Sequence, residues 1–94
     1  GLGPDGHTAS LVPGDPVLEV TDRRVAMTGE AYQDHLRMTL TYPALAEARR
    51  ILWLVTGSDK REPLQKLLAG DKSIPAGRVR NEQMLVVADE AAAG

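Results

Sequence analysis

Two short apolar segments constrain the fold of this 94-residue chain more than any other feature. The first runs over Ile51–Thr56 and the second over Met84–Ala88. Between them, residues 57–59 close the first strand and can cap a helix that runs to about Ala69, with Gly70 as its stop. Nearly continuous apolar strands are typical of parallel sheets that helices cover on both faces. We therefore expect both strands to be buried on both faces in an α/β fold.

The remaining segments continue this alternation. Thr8–Leu11 favours a short helix, residues 17–35 are mostly irregular with one short strand expected over 24–27, and residues 36–41 alternate apolar and polar side chains like a strand. A helix is predicted from Pro43 through Arg50, and Asp89 is expected to cap a short alanine-rich helix. The order predicts a mostly parallel sheet with flanking helices, a Rossmann-like layered sandwich.

Composition excludes several classes of function. The net charge of −2 provides no basic surface for nucleic acid, and no apolar run reaches the ~18 residues that span a bilayer. The chain has no cysteine and only two histidines, without the spacing of a zinc site. We expect a cytoplasmic protein that needs neither metal nor cofactor and binds neither nucleic acid nor membrane.

The chain opens inside a glycine-rich loop, residues 1–7, without an initial methionine. A loop of this type normally follows a strand. Our interpretation is that residues 1–94 are the carboxyl-terminal part of a single larger domain, whose amino-terminal part is the chain's missing partner.

His7 is the candidate general base. It stands where the loop is expected to become a helix, and a helix amino terminus disfavours the imidazolium ion. Asp5, two residues earlier, is placed to orient the ring and stabilise the charge formed on proton transfer. Glycines allow close approach of a ligand, which places Gly3 and Gly6 beside a substrate. The residues alone leave open a plain capped turn with an exposed histidine.

Residues 1–14 closely resemble the Gly-x-Gly-x-Asp-Gly-His-x-Ala-Ser-x-x-Pro-Gly signature of the 6-phosphogluconolactonase family, although Val12 stands where the family more often has an aromatic residue. Further resemblances follow in order, at residues 37–41 and 43–45, 55–60, 74–76 and 89–93. The resemblance covers the whole chain and matches the last part of the family's enzymes, somewhat under half of their usual length.

This resemblance implies an α/β sandwich that hydrolyses 6-phospho-D-glucono-1,5-lactone in the pentose phosphate pathway. His7 would activate water, Asp5 would orient His7, and Arg37 and Lys60 would contact the substrate phosphate. Arg37 lies on the polar face of its predicted strand, and Lys60 falls in the first turn of a predicted helix, where anions are favoured. Without the resemblance, the residues favour a solvated surface position for both cations, because most Lys and Arg side chains are exposed.

Two other functions are compatible with parts of this sequence. A glucosamine-6-phosphate deaminase also has an Asp-Gly-His loop, but its next residues typically read Ile-Ala-Phe-Asn-Glu-Pro, whereas residues 8–13 here read Thr-Ala-Ser-Leu-Val-Pro. The second rival is a non-catalytic sugar-phosphate-binding module. Turnover of the lactone distinguishes all three.

Overall fold

The computed structural model describes residues 1–79 and 82–94. Within these ranges, the strands are β1 (Val25–Met27), β2 (Met38–Leu40), β3 (Ile51–Val55) and β4 (Met84–Ala88). The α-helices are α1 (Tyr42–Ala46), α2 (Arg61–Leu68) and α3 (Glu90–Ala93). Short 3-10 helices span Pro16–Glu19, Ser58–Lys60 and Ala76–Arg78. No helix in the described ranges is long and apolar enough to cross a membrane.

Strands β3 and β4 pair in parallel, with Ile51 opposite Met84 and Val55 opposite Ala88. The chain passes through α2 between them, which confirms the strand–helix–strand unit predicted from the two apolar segments. Trp53 is buried on the inner face of this pair. The α/β class follows directly from this unit.

Strands β1 and β2 instead pair antiparallel, with Val25 opposite Leu40. The predicted mostly parallel sheet is therefore confirmed only for β3 and β4, since the described strands form two separate two-stranded sheets. The segment 28–37 reverses direction through a tight turn in which Gln33 and Asp34 have left-handed φ angles of 51° and 68°. Such a turn places the following strand antiparallel to the preceding one.

Helix α2 begins and ends close to the predicted positions. Gly57, with φ 101°, leads into the 3-10 turn that precedes it, and Gly70, with φ 66°, follows its end. Pro63 is tolerated because it is the third residue of the helix, where the missing N–H has no intrahelical acceptor. The buried side of α2 consists of Pro63, Leu64 and Leu67.

The interior consists of two apolar clusters. Tyr42 and Leu45 of α1 pack against both and so join them. The larger cluster lies between the β3–β4 pair and α2 and contains Leu2, Trp53, Val55, Leu64, Leu67, Ile74, Ala76, Val79 and Ala92. The smaller cluster contains Leu11, Val17, Leu18 and Ala26.

Burial of β3 and β4 on both faces, as predicted, is wrong for the described residues. Leu52 and Leu54 of β3 are 60% and 61% exposed, and Leu85 of β4 is 63% exposed. No described element packs on this outer face, because the helices between and after the strands lie on the Trp53 side. On β2 the polar residue Thr39 is buried, whereas Met38 is 70% exposed.

Two predicted helices also differ. Thr8–Leu11 is a tight turn closed by hydrogen bonds in both directions between the backbones of its end residues, because Ala9 adopts a left-handed φ of 50°. Helix α1 ends at Ala46 rather than Arg50. Residues 46–50 are exposed, so no packing stabilises a longer helix.

Candidate active site

The opening loop and the turn that follows it are held by apolar burial near each end of this stretch. Leu2 is packed in the larger cluster and Leu11 in the smaller one, so the residues between them bridge the two halves of the core. Within the loop, the N–H of Gly3 donates to the carbonyl of His7 at 2.8 Å, and the N–H of Gly6 donates to the carbonyl of Gly3 at 2.9 Å. These bonds fold the loop tightly around His7.

Gly3 and Gly6 stand where neighbouring side chains leave no room for a Cβ atom. A Cβ on Gly3 would lie 2.1 Å from Nδ1 of His7, and a Cβ on Gly6 would lie 2.5 Å from Cβ of Ile74. Gly6 also has a positive φ of 84°, and its carbonyl accepts a hydrogen bond from the N–H of Ala76 at 2.9 Å. Because both glycine N–H groups already donate within the loop, they are not available as donors to an oxyanion.

Asp5 and His7 form a close pair at the surface of the loop. Oδ1 of Asp5 lies 2.6 Å from Nδ1 of His7 and also accepts the His7 backbone N–H at 3.1 Å. The His7 side chain is 27% exposed. Within the described part of the chain, Nε2 of His7 makes no hydrogen bond. The pair therefore presents a ring nitrogen that can accept a proton when Nδ1 donates to Asp5.

The predicted helix does not contribute to this site. Thr8 begins a turn and not a helix, so the argument that a helix amino terminus keeps His7 neutral is wrong. The Asp5 carboxylate alone selects the tautomer, because its bond to Nδ1 holds the proton there.

Tyr32 completes the cluster and was not predicted from the sequence. Its hydroxyl donates to Oδ2 of Asp5 at 3.0 Å and lies 3.4 Å from Nδ1 of His7. The two rings meet edge to face, with centroids 5.3 Å apart and an interplanar angle of 89°. Tyr32 lies 25 residues from His7 within a segment predicted to be irregular, so no local spacing pointed to it.

The electrostatics follow from these contacts. Burial by itself would raise the pKa of Asp5, but hydrogen bonds from the His7 side chain, the His7 backbone and Tyr32 outweigh it and lower the pKa below its ordinary value. Burial and the neighbouring Asp5 carboxylate raise the pKa of Tyr32. Asp5 is therefore a carboxylate and Tyr32 a neutral donor near neutral pH.

Arg37 is connected to the pair through Tyr32. Its Nε donates to the backbone carbonyl of Tyr32 at 3.2 Å, and its guanidinium carbon lies 5.8 Å from the Tyr32 ring centroid. The two terminal nitrogens of Arg37 make no hydrogen bond to the described residues. Four of the five guanidinium N–H donors, those on the terminal nitrogens, thus remain free to bind an anion.

Lys60 is placed differently from Arg37. It is the last residue of the 3-10 turn before α2, and no hydrogen bond or ion pair among the described residues joins it to Asp5 or His7. The start of α2 nevertheless lies beside the loop. Pro4 and Asp5 of the loop and Glu62 and Lys66 of α2 line the same small cavity, of about 130 Å³. Among the described residues, no three His, Cys, Asp or Glu side chains are grouped as metal ligands.

The parallel strand–helix–strand unit, together with a hydrogen-bonded Asp–His pair on a glycine-rich surface loop, places the chain among the α/β proteins. A family model described as "Glucosamine-6-phosphate isomerases/6-phosphogluconolactonase" matches residues 1–87. The chain belongs to this family.

Curated relatives and a solved structure agree with this assignment. The 6-phosphogluconolactonase of Rattus norvegicus is 39% identical over 97 residues, covering 99% of this chain and 38% of the relative. The 6-phosphogluconolactonase of Chlamydia muridarum is 40% identical over 81 residues, covering 84% of this chain and 32% of the relative. The crystal structure of a devB protein matches with a TM-score of 0.80 at 28% identity, covering 98% of this chain and 40% of that one. The chain thus spans at most about two fifths of these proteins.

Proposed function

We propose that the chain is the carboxyl-terminal part of a single 6-phosphogluconolactonase domain, and that the whole protein hydrolyses 6-phospho-D-glucono-1,5-lactone to 6-phosphogluconate. The observation that carries the proposal is the 2.6 Å Asp5–His7 pair with an open Nε2, on the loop of a chain whose relatives are named 6-phosphogluconolactonase. A cytoplasmic location and independence from metals and cofactors are part of the same proposal.

The exposed outer face of β3 and β4 supports the view that more of the domain packs here. Leu52, Leu54 and Leu85 are each at least 60% exposed, and full burial of such a side chain stabilises a fold by about 1.5–3 kcal/mol. In the proposed whole domain, the amino-terminal part covers this face and extends β3 and β4 into the mostly parallel, layered sheet.

In the first step, His7 activates water. Nδ1–H of His7 donates to Asp5, so Nε2 accepts a proton as the water oxygen bonds to the lactone carbonyl carbon. The carbonyl π electrons move to oxygen and form a tetrahedral oxyanion. The Asp5 carboxylate, 2.6 Å away, stabilises the imidazolium that results.

In the second step, the ring opens. The oxyanion re-forms the carbonyl, the bond between the former carbonyl carbon and the ring oxygen breaks, and Nε2–H of His7 returns its proton to that oxygen. The products are a hydroxyl and a carboxylic acid, which loses its proton to solvent near neutral pH. His7 ends as it began, so the cycle needs no other acid or base.

Arg37 and Lys60 are proposed to hold the substrate phosphate. The free terminal nitrogens of Arg37 suit two hydrogen bonds to phosphate oxygens. Lys60 precedes α2, whose first-turn N–H groups also favour an anion. Gly3 and Gly6 are proposed to let the sugar approach the loop, through absence of side chains and not through their N–H groups.

The test uses the full-length protein that contains this chain. Purified protein should accelerate opening of the phosphorylated lactone above the spontaneous rate, and His7→Ala should lower kcat by roughly 10²–10⁴, the usual contribution of a general base. The matched control is His35→Ala, which removes the only other histidine, an exposed one, and should leave kcat unchanged. A His7→Ala variant with normal turnover would contradict the mechanism.

The family description also includes glucosamine-6-phosphate isomerases, so the same protein should be assayed with glucosamine 6-phosphate. Release of ammonia from that amine without lactone hydrolysis would favour the deaminase. Saturable binding of a sugar phosphate without turnover of either compound would favour a binding module.

A further inference from the structure

Tyr32 contacts both members of the Asp5–His7 pair, although the proposed mechanism assigns it no step. We infer that Tyr32 is a positioning residue, whose hydroxyl holds one oxygen of Asp5 so that the other oxygen stays on Nδ1 of His7. The kinetic part of this inference rests on the proposed lactonase function, whereas the structural part does not.

The carboxylate of Asp5 accepts three hydrogen bonds, and each of its two oxygens has a different donor residue. Oδ1 accepts both donors of His7, the backbone N–H at 3.1 Å and Nδ1–H at 2.6 Å, and Oδ2 accepts the Tyr32 hydroxyl at 3.0 Å. The terminal torsion of an aspartate is soft, and this side chain is 40% exposed. Tyr32 supplies the only hydrogen bond to Oδ2 in the described ranges, so it restrains rotation of the carboxylate.

The Tyr32 ring adds a second restraint. It meets the His7 ring edge to face, an arrangement that aromatic rings prefer and that opposes rotation of the imidazole. The contributions of the hydroxyl and of the ring can be measured separately, because phenylalanine at position 32 keeps the ring contact with His7 and removes the hydrogen bond to Asp5.

Tyr32 is itself held by its turn. Its N–H donates to the carbonyl of His35 at 2.9 Å, and its own carbonyl accepts from Nε of Arg37 at 3.2 Å. Gln33 and Asp34 between them have left-handed φ angles, as tight hairpin turns require. The hydroxyl is thus presented to Asp5 by an ordered segment, remote in sequence from the loop it supports.

The first experiment compares Tyr32→Phe and Tyr32→Ala in the full-length protein. We expect Tyr32→Phe to lower kcat about tenfold with KM changed less than twofold, and Tyr32→Ala to lower kcat further, because small displacements of a base are costly. The matched control is Tyr42→Phe, which removes the only other tyrosine hydroxyl, donated to the carbonyl of Pro75 at 2.8 Å. Its kcat should be unchanged.

The second experiment needs no turnover. Carbon-13 NMR of labelled aspartate follows the titration of Asp5 in the same variants. The titratable groups that face Asp5 are His7, Tyr32 and, across the small cavity, Glu62 and Lys66. Loss of the Tyr32 hydroxyl should move the Asp5 midpoint to higher pH, whereas Tyr42→Phe should not move it.

Both results together support the inference. An unchanged Asp5 midpoint, an unchanged kcat, or a loss confined to KM in Tyr32→Phe each overturns it. If the unaltered protein does not hydrolyse the lactone, the proposed function fails by itself. The NMR titration then decides alone whether Tyr32 positions the pair.

Discussion

Replacing Gly3 with alanine should separate the activity of this site from the stability of the fold. The three atoms nearest to a Cβ at this position all belong to the His7 ring, at 2.1, 2.2 and 2.9 Å. Gly3 has no positive φ, so the backbone accepts alanine without strain. The closest conflict is therefore with the imidazole, which is partly exposed and can swing outward.

The displacement can be estimated from these distances. Non-bonded heavy atoms rest about 3.5 Å apart, so Nδ1 of His7 must move by roughly 1.4 Å. A movement of this size breaks the 2.6 Å bond to Asp5. Since a 1 Å misplacement of a catalytic group costs about 10²-fold, kcat for the phosphorylated lactone should fall by at least about 10². Loss of this surface hydrogen bond destabilises the fold by about 1 kcal/mol. Alanine offsets that loss, because it lowers the conformational entropy of the unfolded chain relative to glycine.

The assay pairs steady-state kinetics with urea unfolding of the full-length protein. Gly14→Ala is the matched control, because no atom lies within 4 Å of its Cβ but its φ is 78°. It should lose about 1–2 kcal/mol of stability while retaining kcat, the opposite of Gly3→Ala. Near-normal turnover in Gly3→Ala, or a decrease of several kcal/mol in its free energy of unfolding, would refute this reasoning.

The remaining predictions concern charged side chains and metal dependence. Replacing Arg37 or Lys60 with alanine should cost about 1.5–3 kcal/mol in kcat/KM for the phosphorylated lactone and almost nothing for the unphosphorylated one; equal losses on both would indicate structural roles. The buried Asp15 accepts the N–H groups of Val17, Gly29 and Glu30 at 2.8, 2.8 and 3.1 Å, so Asp15→Ala should lower the unfolding free energy by about 3 kcal/mol in urea titrations. Burial would raise the pKa of Asp15, but these hydrogen bonds outweigh burial and lower the pKa below its ordinary value. The stability that the Asp15 carboxylate contributes is therefore complete above about pH 4 and is lost as the pH falls through the pKa of Asp15 in the folded protein. In Asp15→Asn, the free energy of unfolding should depend less on pH over this acid range. Exhaustive EDTA treatment should leave lactone hydrolysis intact, and recovery of lost activity by added zinc or magnesium would contradict a mechanism based on histidine and water.

The sequence by itself determined features that depend on residues close to one another along the chain. The strand–helix–strand unit followed from two apolar segments and from Gly57 and Gly70, because hydrophobic period and chain reversal are local properties. The Asp5–His7 pair was equally predictable, since two residues of spacing in a glycine-rich loop leave the side chains within reach of each other.

The tertiary structure decided which distant residues join that pair and which faces are covered. Tyr32 reaches Asp5, 27 residues away, only because its turn and the opening loop are brought together. The N–H groups of Gly29 and Glu30 likewise reach Asp15 from 14 and 15 residues away. The turn at Thr8–Leu11 replaced a predicted helix because its ends bond to each other and Ser10 bonds to Thr39 of β2. Burial on one face of β3 and β4 likewise depends on which elements pack there, and no periodicity within a strand encodes that.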